Sequence, residues 1–377
     1  MPLKIFISTS PLQAFTSGTP MRGLILQLIS LRKKDAFHFI LAKKSKNPEN
    51  IDFLKNLTAN PNVSIKFENQ SPKVQNLKKL FGFKSNNYTK VFDFYLSPGM
   101  PEHFSNAQQP SLSIIADLSS INLPGQSSLK WHGNRIFKNT LNWALTSNTK
   151  IAAISDFTRK ELEAYCTSQT QKYFTLHNGI EDFWFDNHFE DNEISAKLKN
   201  ESYWIWWGYI SNRKNITSLL TAYLAAKKKG ASLPRIVFIG QHAPDQQGCI
   251  DLINKHPDYF QRFDFQPNYA LKTIVKNSQG LVFPSIYEGF GLPVIEAFSQ
   301  GVPVLHSNVT SLPEVGNGLG IEVDPNSIDS IVDGLIQLHQ SPNSAEQVAA
   351  RQNWASSFTY QRAALQLSAM IDELTGN

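Results

Sequence analysis

Residues 280–316 read GLVFPSIYEGFGLPVIEAFSQGVPVLHSNVTSLPEVG, and this stretch decides the fold class. Residues 280–285 form a short apolar run of the kind found in strands buried on both faces. Tyr287-Glu288-Gly289-Phe290-Gly291-Leu292 follows, and its two glycines let the backbone take positive φ and come close to a ligand. Pro293 suits the first turn of a helix, residues 294–300 carry that helix to Gly301, and residues 302–306 form the next strand. The tip of such a helix aims free amides and the positive end of a dipole at whatever sits above the loop, which makes it an anion site. Glu288 and Glu296 would not help to hold a phosphate. Carboxylates beside a phosphate site make sense as acceptors for hydroxyls, as acidic residues serve ribose in dinucleotide folds. The combination points to a nucleotide joined to a sugar. The local alternative is a Glu288 that caps a helix and a Glu296 that is solvated.

Outward from this unit, short strands alternate with helical patterns, which predicts parallel sheets covered on both faces. Strands are expected at residues 4–8, 38–42, 63–67, 91–96, 112–118, 151–155 and 173–177, then at 203–210, 235–240, 263–266, 280–285, 302–306 and 320–323. Helical patterns cover residues 21–32, 158–166 (opened by a Thr158 to Glu161 capping box), 271–276, 328–339 and 354–374. After the strand ending near Gly208 comes Ser211-Asn212-Arg213-Lys214-Asn215, with Asn215 placed to cap the helix that carries Ile216, Leu219, Leu220 and Tyr223 on one face. Arg213 and Lys214 therefore precede a helix N-terminus, where cations oppose the dipole unless an anion intervenes. Gly240, after the next strand, lies at the carboxyl edge of the sheet, where ligands bind in such folds.

The motif PSIYEGFGLPVIEA, followed by GVPVLHSNVTSLPEV, resembles the donor site of the retaining glycosyltransferases of family 4, within the group 1 glycosyltransferases. The resemblance is strong over residues 150–377 and topological before that. It implies the GT-B fold: α/β, with two doubly wound Rossmann-like domains facing an interdomain cleft and a C-terminal helix crossing back to the first domain. The expected boundaries are 1–180 for the acceptor-side domain, 181–355 for the nucleotide-sugar domain and 356–377 for the returning helix. By this resemblance Glu288 meets hydroxyls of the transferred sugar and Glu296 the ribose. Phe290, Gly291 and Leu292 offer amides near the diphosphate or sugar, and Arg213 and Lys214 neutralise the donor diphosphate and the leaving nucleotide. Gly18, in the loop after the first strand, would face the donor phosphates. Two departures stand out. Ala116 replaces the family's histidine before Asp117, leaving Asp117 to orient the loop or reach the acceptor, with His132 as a nearby substitute. Tyr209 follows Gly208 where many relatives carry an arginine, so the Arg213–Lys214 pair is left to supply the phosphate charge.

The implied activity is metal-independent, retaining transfer of a hexose from GDP-mannose or a UDP-hexose to a glycan or lipid-linked acceptor in surface polysaccharide assembly. No resident cofactor is expected beyond that co-substrate. The chain has no Asp-x-Asp, which weighs against the metal-dependent transferase fold. A nucleotide-sugar epimerase of the same fold, and an inactive nucleotide-sugar-binding protein that has lost catalysis with Ala116, remain alternatives.

A chain of 377 residues exceeds one usual hydrophobic core and predicts two domains. Cys166 and Cys249 fit no metal or redox spacing, which suggests reduced thiols and a cytoplasmic protein. The N-terminal apolar run is too short for a signal peptide. Residues 1–180 hold 22 Lys+Arg against 10 Asp+Glu, whereas residues 181–377 hold 14 against 21. The basic half suggests an anionic partner, with an anionic membrane surface or lipid diphosphate ranked above nucleic acid, for which no binding module is present. Residues 71–84, SPKVQNLKKLFGFK, put Val74, Leu77 and Phe81 on one helical face among lysines. That pattern fits either a helix lying on an anionic membrane or a surface helix packed on its own domain.

Overall fold

Parallel pairing joins every strand among the described residues of the computed structural model, which are 1–8, 19–42, 48–68, 92–99, 109–123, 131–146, 149–167, 172–341 and 343–377. Gly18 and residues 71–84 lie outside them. The strands are β1 Lys4–Ser8, β2 Ala36–Ala42, β3 Val63–Glu68, β4 Phe94–Gly99, β5 Ser111–Ile115, β6 Thr149–Ala153 and β7 Tyr173–Thr175, followed by β8 Tyr203–Trp207, β9 Arg235–Ile239, β10 Phe260–Phe263, β11 Leu281–Phe283, β12 Val304–Ser307 and β13 Ile321–Val323. They form two sheets in two units, Met1–Gly179 with Thr359–Asn377, and Ile180–Phe358.

In the first unit the order is β3-β2-β1-β4-β5-β6-β7, with Ile5 paired to Phe37 on one side and to Phe94 on the other. The order reverses between β1 and β4, the doubly wound arrangement. The helix Thr19–Leu31 buries Met21, Leu24, Ile25, Leu28 and Ile29, a face with a 3.6-residue period. Against it packs the terminal helix Tyr360–Thr375, whose Tyr360 ring lies so close to Gly23 that a β-carbon there would sit 2.1 Å from it. Arg32, just past the first helix, donates to Asp372 (2.7 Å) and to the Ser368 hydroxyl (2.9 Å) of the second.

The second unit has the order β10-β9-β8-β11-β12-β13, with the reversal between β8 and β11. Tyr203, Trp204, Ile205 and Trp206 are buried along β8, as a strand covered on both faces requires. Lys272, on the helix Asn268–Lys276, is fully buried and donates to the carbonyls of Phe183, Asp186 and His188 and to the Asp186 carboxylate. This one ammonium fastens the segment that follows residue 180.

Several sequence expectations shift. The strand expected at 263–266 lies at Phe260–Phe263, and β4 starts three residues later than the apolar run suggested. The helix expected from Thr158 is Asp156–Tyr165, capped by Ser155, whose hydroxyl accepts from the Thr158 amide. The pattern at 354–374 is two helices, Ala345–Ala355 and Tyr360–Thr375, the second capped by Thr359. In both cases a serine or threonine oxygen that satisfies an orphan amide sets the boundary, and hydrophobic periodicity does not register it.

Candidate active site

The chain leaves β8 towards β9 on one side and leaves β11 towards β12 on the other, so the backbones diverge at the carboxyl ends of these adjacent strands. A crevice at such a reversal is where open α/β sheets bind ligands. The residues singled out from the sequence of this unit gather around it.

From β8 the chain passes Gly208 into a single 3-10 turn, Asn212–Lys214, and then Asn215, which takes a left-handed conformation with φ 59°. Asn215 takes the N-cap position of the following helix Ile216–Lys228, as expected, but its side chain gives that helix no capping hydrogen bond. Its side-chain amide donates instead to the carbonyls of Pro284 (3.1 Å) and Pro325 (2.8 Å), which pins the basic turn to the end of β11. The Arg213 carbonyl accepts from the Ile286 amide (2.8 Å), and the Arg213 guanidinium donates to the Tyr287 carbonyl (3.0 Å).

This places both cations on one carboxylate. Glu288 Oε2 accepts from Arg213 Nη1 at 2.7 Å and Oε1 from Lys214 Nζ at 2.6 Å. The Glu288 side chain is 7% exposed, Lys214 11% and Arg213 30%, and the Lys214 ammonium stands 4.8 Å from the centre of the Phe283 ring. Burial alone would raise the Glu288 pKa, but the charges of Arg213 and Lys214 outweigh it and hold the carboxyl down at about 2. The loop is held from beneath: the Glu288 amide donates to Thr310 Oγ1 (3.2 Å), and the Ser311 hydroxyl bridges the carbonyls of Glu288 and Phe290 at 2.9 Å each.

Gly291 ends the loop at φ 99° and precedes the helix Leu292–Ser299, with Pro293 in its first turn. A β-carbon at Gly291 would also fall 2.6 Å from Leu312, so conformation and space both require glycine. Glu296 stands on this helix, half-buried, and its Oε2 accepts from the Trp207 indole N–H at 3.0 Å. Burial dominates here and raises the carboxyl to about 7. Nearby Glu181 adds to the rise, while the Trp207 hydrogen bond and the Lys214 charge oppose it. Two acids of one short segment are thus set in opposite protonation regimes, with Lys214 acting on both.

Gly240 sits at the end of β9 with φ 133°, where a β-carbon would strike the Gly208 carbonyl at 2.0 Å, and its own carbonyl accepts from Arg262. Its demand for glycine follows from the close approach of the two strand ends. Phe290 turns its ring into the core against Phe358, 5.6 Å away, so only its backbone could face a ligand. Leu292 is half-buried at the first helical position, whose amide has no acceptor inside the helix. Asp117 belongs to the first unit, beside Ala116 after β5, and its Oδ1 accepts from the Ser119 amide at 2.9 Å in an Asx turn. Tyr209 is exposed. The sequence reading missed Trp207, Thr310 and Ser311. Trp207 looked like one more apolar strand residue, and nothing local marks its partner 89 positions away.

The profile of the glycosyl transferases group 1 matches residues 187–353, a span that contains Trp207, Arg213, Lys214, Gly240, Glu288, Gly291 and Glu296. Residues 187–353 are thus similar to the group 1 glycosyl transferases. The chain is 30% identical over 222 residues to the O-antigen chain mannosyltransferase B of Escherichia coli, covering 58% of each protein. It is 48% identical over 190 residues to the serotype-specific mannosyltransferase WbdA of Escherichia coli, covering 48% of this chain and 23% of that protein. The chain therefore spans about three fifths of the first relative's length and under a quarter of the second's. Across 98% of its length it superposes on HepE of Anabaena, solved in complex with UDP and glucose, with a TM-score of 0.70 at 12% identity and all of that chain covered. At that identity the likeness shows the fold, which is GT-B with two Rossmann-like domains.

Proposed function

We propose that this protein is a hexosyltransferase that takes a nucleoside-diphosphate hexose as donor, GDP-mannose or a UDP-hexose, and retains the configuration at the transferred carbon. The mannosyltransferase names of its relatives favour mannose and assembly of a surface polysaccharide. The observation that carries the reading is the Glu288 corner, where two cations converge on one buried carboxylate beside an amide-bearing helix tip. Two positive charges against one negative leave a net positive charge for an incoming diphosphate, and Arg213 is the more open of the pair. Each Glu288 oxygen has a second lone pair, so a sugar hydroxyl can be accepted while the ion pairs persist. Arg213, Lys214 and the tip amides stabilise the charge that develops on the leaving diphosphate, without a metal and without a resident cofactor. Glu296 accepts from the ribose. The acceptor is a hydroxyl of a glycan or of a lipid-linked sugar, and the basic first half suits an anionic lipid diphosphate or membrane surface. No helix among the described residues is long and apolar enough to cross a membrane.

Calorimetry with GDP and UDP, followed by chromatographic assay of donor hydrolysis and transfer, tests this reading. Wild-type protein should bind one diphosphate and turn over its sugar conjugate, and Lys214→Ala should slow turnover at least tenfold. Absence of binding to either diphosphate overturns the proposal. Ala116, in place of the family's histidine, favours a second reading as a nucleotide-sugar-binding protein without catalysis, and binding without turnover would select it.

A further inference from the structure

The buried aromatic residues behind Glu296 point to a role outside the family motif. The Glu296 carboxylate uses Oε2 for the Trp207 indole and accepts no other hydrogen bond among the described residues, so Oε1 is left for a ligand. Trp207 is itself braced. Its ring stacks on Trp184 with centroids 6.3 Å apart and planes at 28°, and the Trp184 carbonyl accepts from the Gln300 side chain at 2.6 Å. The neighbouring carbonyls of Phe183 and Asp186 are gripped by the buried Lys272 ammonium at 2.7 and 2.6 Å. Stacked on a braced neighbour, the indole sends its N–H to the carboxylate.

We propose that Trp207 is a positioning residue for the donor: its N–H orients Glu296 and favours its ionised form, so that Oε1 accepts the ribose hydroxyls. This rests on the donor reading above. The charged groups that act on Glu296 are Glu181, which disfavours its ionised form, and Lys214, which favours it. The indole N–H adds to the side of Lys214, so removing it pushes the carboxyl further up and delays the formation of the better acceptor to higher pH.

The test is calorimetric titration of GDP and UDP between pH 5.5 and 9 into the wild type, Trp207→Phe, Glu296→Asp and Glu296→Gln. Trp207→Phe keeps a smaller aromatic ring against Trp184 and removes the N–H donor. It should weaken binding about five- to tenfold near pH 7, move the midpoint of the pH dependence upward, and raise KM for the donor with kcat within about twofold. Glu296→Asp, which withdraws the carboxylate from an intact indole, should move the midpoint the same way and guards against a Trp207 variant that does not fold. Glu296→Gln reports the ionisation of the ligand alone. If the wild type binds a diphosphate and both shifted variants keep its pH midpoint, Trp207 only fills space and the inference fails. If the wild type binds neither diphosphate, it is the donor reading that fails.

Discussion

Glu288 and Glu296 stand on one loop and the helix it feeds, yet Glu288 faces two cations while Glu296 faces an indole and another acid. Burial pushes both carboxyls up. At Glu288 the nearby charges win and the group ionises at about 2; at Glu296 they lose and it titrates at about 7. The contrast shows that the fate of a buried acid is set by the charge it meets, since desolvation acts on each in the same direction. It also qualifies the charge balance of the halves. The acidic half of the chain holds the Arg213–Lys214 pair at the reversal of its sheet, so the net charge of a half does not show where its cations cluster.

The largest effect that could break this comparison comes from Glu288. Glu288→Ala leaves Lys214 nearly buried without its counter-charge and should cost about 3 kcal/mol in stability by denaturant titration, the low end of what removing one partner of a buried pair costs. The pH dependence has a defined sign. The Glu288 pKa falls from about 4.5 unfolded to about 2 folded, so its stabilisation is present above pH 4.5 and disappears as pH drops towards 2. The variant should lose that part of the acid limb, and an unchanged limb would refute the assignment.

Glu296 should behave in the opposite sense. Its pKa rises from 4.5 unfolded to about 7 folded, so the unfolded chain releases its proton first and wild-type stability declines as pH rises between these values. Glu296→Gln should stabilise the ligand-free protein by about 1–2 kcal/mol at pH 8, reduced from the full shift because the carboxyl is partly in water, and by nothing at pH 4. Equal effects at both pH values would erase the contrast. The smallest effect is expected at Thr310→Val, which removes the acceptor of the Glu288 amide and should cost about 1 kcal/mol, together with a small loss of donor affinity.

Much of the fold was legible in the chain. The glycines and proline around Phe290 and Pro293 announced the loop and helix start, and β1, β9 and β12 fell where short apolar runs stood. Reading failed where a single oxygen sets a boundary, as Ser155 and Thr359 do, and where a residue's role depends on distant neighbours. Asn215 holds the cap position, but its side chain serves as a tether to Pro284 and Pro325. Lys272 lies in the helical pattern expected at 271–276, and nothing local marks it as the fully buried residue it is.

By itself, then, the sequence determined the parallel α/β class, the glycine-rich turn before a helix tip, and the identity of the two acids and the two cations, because each of these is written in local spacing and backbone preference. Only the tertiary structure decided which acid meets which partner. Lys214 reaches Glu288 across 74 positions and Trp207 reaches Glu296 across 89, and the electrostatic character of both carboxyls depends on those long-range meetings.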